Sequence, residues 1–306
     1  MLKGKYINFG LSKDDSMKRI LVTGATGNVG LEVIRFLLHY QSECQIIAGV
    51  RNVVKAKKKL GNSEQIEFTR FDFEDSATFQ PAFENIQALF LLRPPHISQV
   101  ERYFNPLIEA VNRSGIKEII FLSVQGAEKS KVIPHNQIEK LIAESGVRYI
   151  FLRPSYFMQN MTTTLLKDIQ QQRMIILPAG KAKFNWIDIV NIGEITAILF
   201  NRFDQYANQA IEITGNENKS FKEVAQVISE VTSLKVEFMN VHPLRFYQLK
   251  KRQGLSKGMI VVMILLHFLP RFQKQPRISD FYYQLTGKQP TTVKEFVERE
   301  HSAFKS

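Results

Sequence analysis

The feature that most narrows what this chain can fold into is a glycine turn between a short apolar run and an amphipathic helix. Lys18 to Thr23 reads KRILVT, TGATGNVG places Gly24, Gly27 and Gly30 at three-residue intervals, and Leu31, Ile34, Leu37 and Leu38 then recur at helical spacing. Strand, turn and helix in that order put glycines where backbone must pass close to something. They also aim the unsatisfied N–H groups of a helix beginning near Asn28 at the turn. A helix start of this kind stabilises an anion, and a glycine-rich one directly after a strand suits a pyrophosphate. The spacing predicts a dinucleotide site.

The alternation continues beyond the turn. Ile46 to Val50, Ile66 to Phe71, Ala88 to Leu92, Ile119 to Val124 and Tyr149 to Leu152 are short apolar runs, separated in several places by helix-sized segments such as Val100 to Ser114 and His135 to Ser145. In NRSGIKEIIFLS and AESGVRYIFLRP a glycine follows a helical segment and precedes an apolar run, as at a helix end feeding a strand. The pattern predicts an α/β fold, a Rossmann-like doubly wound parallel sheet with helices on both faces. After Pro154 the rhythm loosens into Ala179 to Asp188, Asn191 to Phe200, Gln209 to Thr214 and Phe221 to Val231, which predicts a smaller C-terminal α+β lobe. The expected organisation is 1–16 as a leader or start-site artefact, 17–153 as an NAD(P)-binding domain, and 154–306 as a smaller substrate lobe with elements returning to the sheet.

Composition narrows the setting. Apolar residues at 44% and charged residues at 23% exclude a disordered or fibrous chain. The single cysteine, Cys44, can neither form an intrachain disulfide nor supply a thiolate cluster for structural zinc, so no metal is expected and a cytoplasmic setting fits. The first sixteen residues contain no apolar run of signal-peptide length. The net charge of +12 favours anionic ligands and collects in two places. Arg51, Lys55, Lys57, Lys58 and Lys59 lie close together, and Phe238 to Ser279 carries eight Lys and Arg without one Asp or Glu. Met259 to Leu269, the longest apolar stretch, falls short of the roughly 20 residues that span a bilayer and reads as a core or docking helix. The basic residues around it read as a solvated rim beside a buried helix, with a nucleic-acid or anionic-membrane surface as the weaker alternative.

The second strand ends in AGVRN, where an acid would normally receive the adenosine ribose hydroxyls. Gly49 and Val50 are not acids, whereas Arg51 follows at once and Lys55 lies one helical turn later, which suits the 2′-phosphate of NADP. Lys57, Lys58 and Lys59 read as a solvated helix face. In TRFDFED, Asp72 could accept from the adenine amino group with Phe73 over the ring, or cap the next helix. Leu91, Leu92 and Arg93 close the fourth strand and would line the ribose and nicotinamide side.

TGATGNVG, GVRN, IIFLS, SGVRYIFLRPSYFMQN, WIDIVNIGEI and YQLTGKQPTTVKEFV together make the chain from Lys18 resemble the NmrA-like family of atypical short-chain dehydrogenases/reductases, in particular its NAD(P)H-dependent quinone oxidoreductase and azoreductase-like members. The resemblance implies that Gly24, Thr26, Gly27, Asn28 and Val29 hold the pyrophosphate and Arg51 the 2′-phosphate. It further implies that Ser123 and Val124 lie at the nicotinamide, with Pro154, Ser155, Tyr156 and Phe157 at the carboxamide. Typical short-chain dehydrogenases add a Tyr-x-x-x-Lys pair that passes a proton to a carbonyl, worth typically 10²- to 10⁴-fold. This chain has His135, Asn136, Gln137, Ile138 and Glu139 there. An alcohol dehydrogenase or nucleotide-sugar epimerase mechanism would therefore be impaired. A quinone tolerates the loss, because aromatisation drives hydride acceptance. His135 is a candidate proton donor or a helix-start residue with a structural role, and Phe157 and Asn160 are candidate substrate-pocket residues. The expected activity is NADPH-dependent hydride transfer to a small apolar acceptor, such as a quinone; the alternatives are a non-catalytic NADP(H)-binding redox sensor acting on a protein partner and, as the weaker one, a nucleotide-sugar epimerase-like enzyme.

Overall fold

The computed structural model describes residues 17–40, 44–61, 63–131 and 133–305, so the segment 1–16 expected to be a leader lies outside the described residues. In the first half, strands β1 (Lys18–Thr23), β2 (Cys44–Val50), β3 (Ile66–Arg70), β4 (Ala88–Leu92), β5 (Glu118–Leu122) and β6 (Arg148–Pro154) alternate with helices. The second half adds β7 (Tyr156–Phe157), β8 (Met174–Leu177), β9 (Lys183–Ile187), β10 (Gln209–Ile213), β11 (Asn218–Ser220) and β12 (Glu237–Asn240).

Seven strands form one sheet in the order β10-β6-β5-β4-β1-β2-β3, with every neighbouring pair parallel. The chain leaves β1 towards one edge and, from β4, builds towards the other, so the direction of winding reverses between β1 and β4. A crevice opens beyond the C-terminal strand ends at such a reversal. Thr23 pins its lip: the hydroxyl donates to Phe90 O at 3.0 Å and accepts from Leu92 N at 2.9 Å, joining the ends of β1 and β4.

Side-chain alternation along the strands splits the core into two layers. Ile20, Val22, Ile46, Phe90 and Ile120 pack on one face against the helices Asn28–Tyr40 and Ile189–Asn201. Leu21, Ile47, Leu89, Ile119 and Phe121 pack on the other against Val100–Asn112 and Pro134–Glu144. Buried on both faces, these strands read as continuous apolar runs, which is why the sequence shows them clearly. The fold is the expected doubly wound parallel sheet.

A third apolar cluster, built around Trp186, Phe184, Phe221, Phe246 and Phe296, lies in the second half of the chain. It draws on the three-stranded sheet β11-β9-β7 and on the pair β12-β8. Lys250, one of the eight basic residues between Phe238 and Ser279, is buried here and forms an ion pair with Asp168 at 2.5 Å. The expected Met259–Leu269 helix forms as Lys257–Phe268. Only part of it is covered: Ile260, Met263 and His267 are buried, while Met259, Val261, Val262, Leu265 and Leu266 are exposed. The expectation of a buried helix is therefore corrected, while the basic residues around it, Lys250 excepted, are exposed as a rim. Among the described residues no helix is long and apolar enough to cross a membrane.

Candidate cofactor and acceptor site

The glycine turn is shaped by its own backbone. Gly24 adopts φ +62, a left-handed conformation natural to glycine, and a Cβ there would stand 2.9 Å from Leu92 Cδ2. Gly27 N donates to Gly24 O at 2.8 Å, and Leu31 N to Gly27 O at 2.9 Å, so the chain passes directly into the helix Asn28–Tyr40. At Gly30 a Cβ would lie 2.3 Å from Gly24 O. Asn28 is exposed at the helix start and Val29 is buried in the core, so these two positions could offer backbone N–H groups to an anion.

Beside the turn lies a cavity of about 320 Å³ lined by Gly24, Thr26, Gly27, Gly49, Val50, Arg51, Asp72, Phe73, Leu92 and the loop Pro94–Ile97. Arg51 stands exposed at its lip. Asn52 next to it accepts from Lys55 N at 2.9 Å and caps the helix Val53–Leu60; Lys55 itself is exposed and does not line the cavity. Lys59, read from the sequence as solvated, instead reaches back to donate to Thr26 O in the glycine turn at 2.8 Å. A basic residue within a charge run carries no sequence signal for such a reach.

Asp72 Oδ1 accepts from Glu74 N at 3.1 Å and lines the cavity. The helix-capping role that was the alternative for Asp72 belongs to Asp75, whose carboxylate accepts from Ala77 N. Phe73 lines the cavity while packing edge-on to Phe71. Of the two leucines ending β4, Leu92 faces the cavity, and Leu91 is fully buried in the layer of Phe104 and Phe121. Leu91 is thus a core residue and not part of the lining.

Arg93 does not point at the cavity as an anion ligand. Its guanidinium donates to the carbonyls of Pro94, Pro95 and Ile97 at 3.1, 3.3 and 2.5 Å, folding that loop into the far wall. Its Nε lies 3.4 Å from His135 Nε2. Burial, reinforced by the Arg93 charge, pushes the His135 imidazole down to about 3. A ring that stays neutral throughout the neutral range has no proton to donate from its Nε2, so His135 supports Arg93 and the proton-donor expectation is corrected. Pro94, Pro95, His96 and Ile97 were missed by sequence reasoning, because only the half-buried Arg93 beneath them creates the wall.

Further along the same sheet edge, beyond β5 and β6, a second cavity of about 360 Å³ is lined by Val124, Gln125, Pro154 to Phe157, Asn160, Phe184 and Asn185, and on its outer side by Leu266, Pro270, Gln273 and Pro276. Ser123 ends the run from β5, is 2% exposed, and its Oγ has no hydrogen-bond partner among the described residues. A buried hydroxyl without a partner costs about 1–3 kcal/mol, so its presence points to a ligand group that would satisfy it.

Several of the candidate ligand groups are already engaged. The Ser155 hydroxyl donates to Asn185 Oδ1 at 2.7 Å, and Pro154 O accepts from Gln125 N at 2.9 Å. Tyr156 OH lies 3.0 Å from His267 Nε2, and His267 Nδ1 lies 2.6 Å from Met263 O. A carbonyl can only accept, so Nδ1 carries the proton and the phenol donates to Nε2. Burial holds the His267 ring down at about 4 and raises the Tyr156 phenol. Tyr156 therefore lines the cavity beside Phe157 and Asn160 with its hydroxyl already engaged, its ring braced by Phe184, Trp186 and Phe221. The structure brings together most of the expected site residues in two cavities, and leaves Asn28, Val29, Lys55, Leu91, Arg93, Ser123 and His135 out of both linings.

Comparison with known proteins places this geometry. A model of the NmrA-like family matches residues 16–296. Prestalk A differentiation protein A of Dictyostelium discoideum is 30% identical over 285 residues, 92% of either chain. The NAD(P)H azoreductase of Xenophilus azovorans is 25% identical over 289 residues, 93% of this chain and 99% of that one. The crystal structure of the Citrobacter sp. triphenylmethane reductase complexed with NADP(H) has a TM-score of 0.79 at 25% identity, covering 92% of this chain and 99% of its own. With a family model matched over nearly its whole described length and a 30% identical relative spanning the same region, the chain belongs to the NmrA-like family.

Proposed function

We propose that this protein binds NADPH along the C-terminal edge of the seven-stranded sheet and uses it to reduce a small, flat, apolar acceptor, of which a quinone or an azo compound is the type. The observation that carries this reading is the succession of two cavities on one sheet edge, a glycine turn with Arg51 at the first and an apolar shelf with Phe157 at the second. Residues 17–153 then form the cofactor-binding domain and 154–306 the substrate lobe.

The chain's residues fit a phosphorylated dinucleotide. The turn leaves no room for a side chain at Gly24 or Gly30, Arg51 meets the cavity where an NAD site would carry an acid, and Ser123 Oγ awaits a partner. When bound, the nicotinamide supplies a hydride. The protein's part is alignment, with Phe157 and Asn160 holding the acceptor over the cofactor and the surrounding apolar wall excluding water. With His135 to Glu139 standing where the Tyr-x-x-x-Lys pair would lie, and His135 held neutral, the acceptor must be one whose reduced form takes a proton from water.

The test is a single-turnover absorbance measurement in which excess protein loaded with NADPH meets a panel of quinones and azo compounds, beside protein-free controls. Protein-dependent oxidation by at least one class is expected. Tight NADPH binding without acceleration across the panel would overturn hydride transfer and leave an NADP(H)-binding regulator as the reading. In the same assay Ser123→Ala should lower the single-turnover rate about tenfold, the worth of one hydrogen bond, without lowering Tm, because no intramolecular bond is lost. A drop in Tm would show that Ser123 serves the fold instead.

A further inference from the structure

The helix Lys257–Phe268 has the sequence KGMIVVMILLHF, apolar at every position from Met259 to Leu266. Ile260, Met263 and His267, three and four residues apart, turn inward. The opposite side is therefore apolar as well: Val261, Val262, Leu265 and Leu266 are exposed, and Leu269 and Phe272 extend the ridge, the last with 74% of its surface free. A helix that is apolar all round is ordinarily buried all round, and a continuous exposed ridge of this kind marks a contact surface.

Charge decides what the contact is. No Asp or Glu occurs between Phe238 and Ser279. Lys251, Arg252 and Lys257 flank the start of the ridge and Arg271 and Lys274 its end, all exposed, and none pairs with a carboxylate among the described residues. At the far end Lys181, Arg271 and Lys274 also ring a polar cleft of about 540 Å³. A second copy of this chain seated on the ridge about a two-fold axis would press two acid-free basic rims together, which disfavours that contact. An anionic bilayer answers both features, offering hydrocarbon to the ridge and phosphates to the rim.

We infer that the Lys257–Phe268 helix and the turn through Lys274 dock this protein on the surface of an anionic lipid bilayer. At twelve residues the helix is far too short to span, so it lies in the plane of the interface. Leu266 and Pro270 also line the second cavity, so docking sets the mouth of that cavity against lipid. The acceptors it favours are then lipophilic ones, a consequence that rests on the reading of this cavity as the acceptor pocket.

The experiment is flotation of the full chain with vesicles of phosphatidylcholine alone and of equal parts phosphatidylcholine and phosphatidylglycerol, across a salt series. Binding to the anionic vesicles is expected, falling as salt rises. Val262→Glu with Leu265→Glu should reduce it at least about tenfold by removing apolar burial. Lys251→Ala with Arg252→Ala should reduce it about fivefold per charge. Neither pair lines a cavity, so NADPH titration of each variant should match the parent and verify the fold. Equal binding to both vesicle types, or flotation indifferent to the Glu pair, would overturn the inference. So would absence of flotation together with a dimer in sedimentation equilibrium that the Glu pair dissociates, which would assign the ridge to a second copy. Vesicle binding needs no turnover, so its failure would leave hydride transfer standing.

Discussion

Replacing Arg51 by alanine should weaken NADPH binding about tenfold to a hundredfold while leaving NADH nearly untouched. The range follows from a charge-assisted hydrogen bond, worth about 1.5–3 kcal/mol, acting on the one group that distinguishes the two dinucleotides. Its direction follows from placement. Arg51 comes directly after β2, where Gly49 and Val50 stand in place of an acid, and the guanidinium lies at the lip of the first cavity with no carboxylate partner among the described residues. Lys59 provides the contrast. Its amine donates to Thr26 O inside the glycine turn, which under the proposed binding mode would hold the pyrophosphate common to both dinucleotides, so Lys59→Ala should weaken NADPH and NADH by similar, smaller factors. Calorimetric titration of both cofactors into both variants separates the roles. Equal weakening of NADPH and NADH by Arg51→Ala would remove the assignment of the 2′-phosphate to this residue.

The same pair of basic residues shows what a sequence can and cannot disclose. Arg51 is legible because it follows a strand at a fixed offset from a turn, and local order alone determines its place. Lys59 sits in a run of lysines, and nothing local separates the one that folds back on Thr26 from Lys57, whose amine lies over the Phe68 ring. Register has a similar effect. Leu91 and Leu92 are alike in the sequence, and only the pleat of β4 sends one into the core and the other into the cavity. The strands themselves are easy to read, since double burial makes them apolar throughout. Ile119 to Val124 differs from the observed Glu118–Leu122 only at its ends.

Long-range partners account for most of the rest. Arg93 reads as a cofactor contact until its three carbonyl acceptors are seen, and Tyr156 reads as a contact of the cofactor carboxamide until its phenol is seen to donate to His267, far along the chain. Helix Lys257–Phe268 is a different kind of failure. Hydropathy reports that a segment avoids water, and burial in protein is the commonest way to do so, but the pattern is the same when lipid is the cover.

Gly30→Ala should abolish useful binding of both dinucleotides, lowering NADPH and NADH affinity alike by at least about a hundredfold. The added methyl would lie 2.3 Å from Gly24 O and 2.8 Å from Ala25 Cα, contacts with backbone that no rotamer change can relieve. The turn and the helix Asn28–Tyr40 must then move apart, and the N–H groups proposed to bind the pyrophosphate move with them. Stability should fall by about 1–3 kcal/mol, the usual cost of overpacking, which leaves a folded protein to measure. Gly258→Ala is the control, since a methyl there meets nothing within 4 Å, and it should leave both affinities intact. Loss of both cofactors from Gly30→Ala, set beside loss of NADPH alone from Arg51→Ala, would divide the site into a part that holds any dinucleotide and a part that chooses between them. A folded Gly30→Ala protein that bound NADPH normally would show that the phosphates lie elsewhere than at the glycine turn.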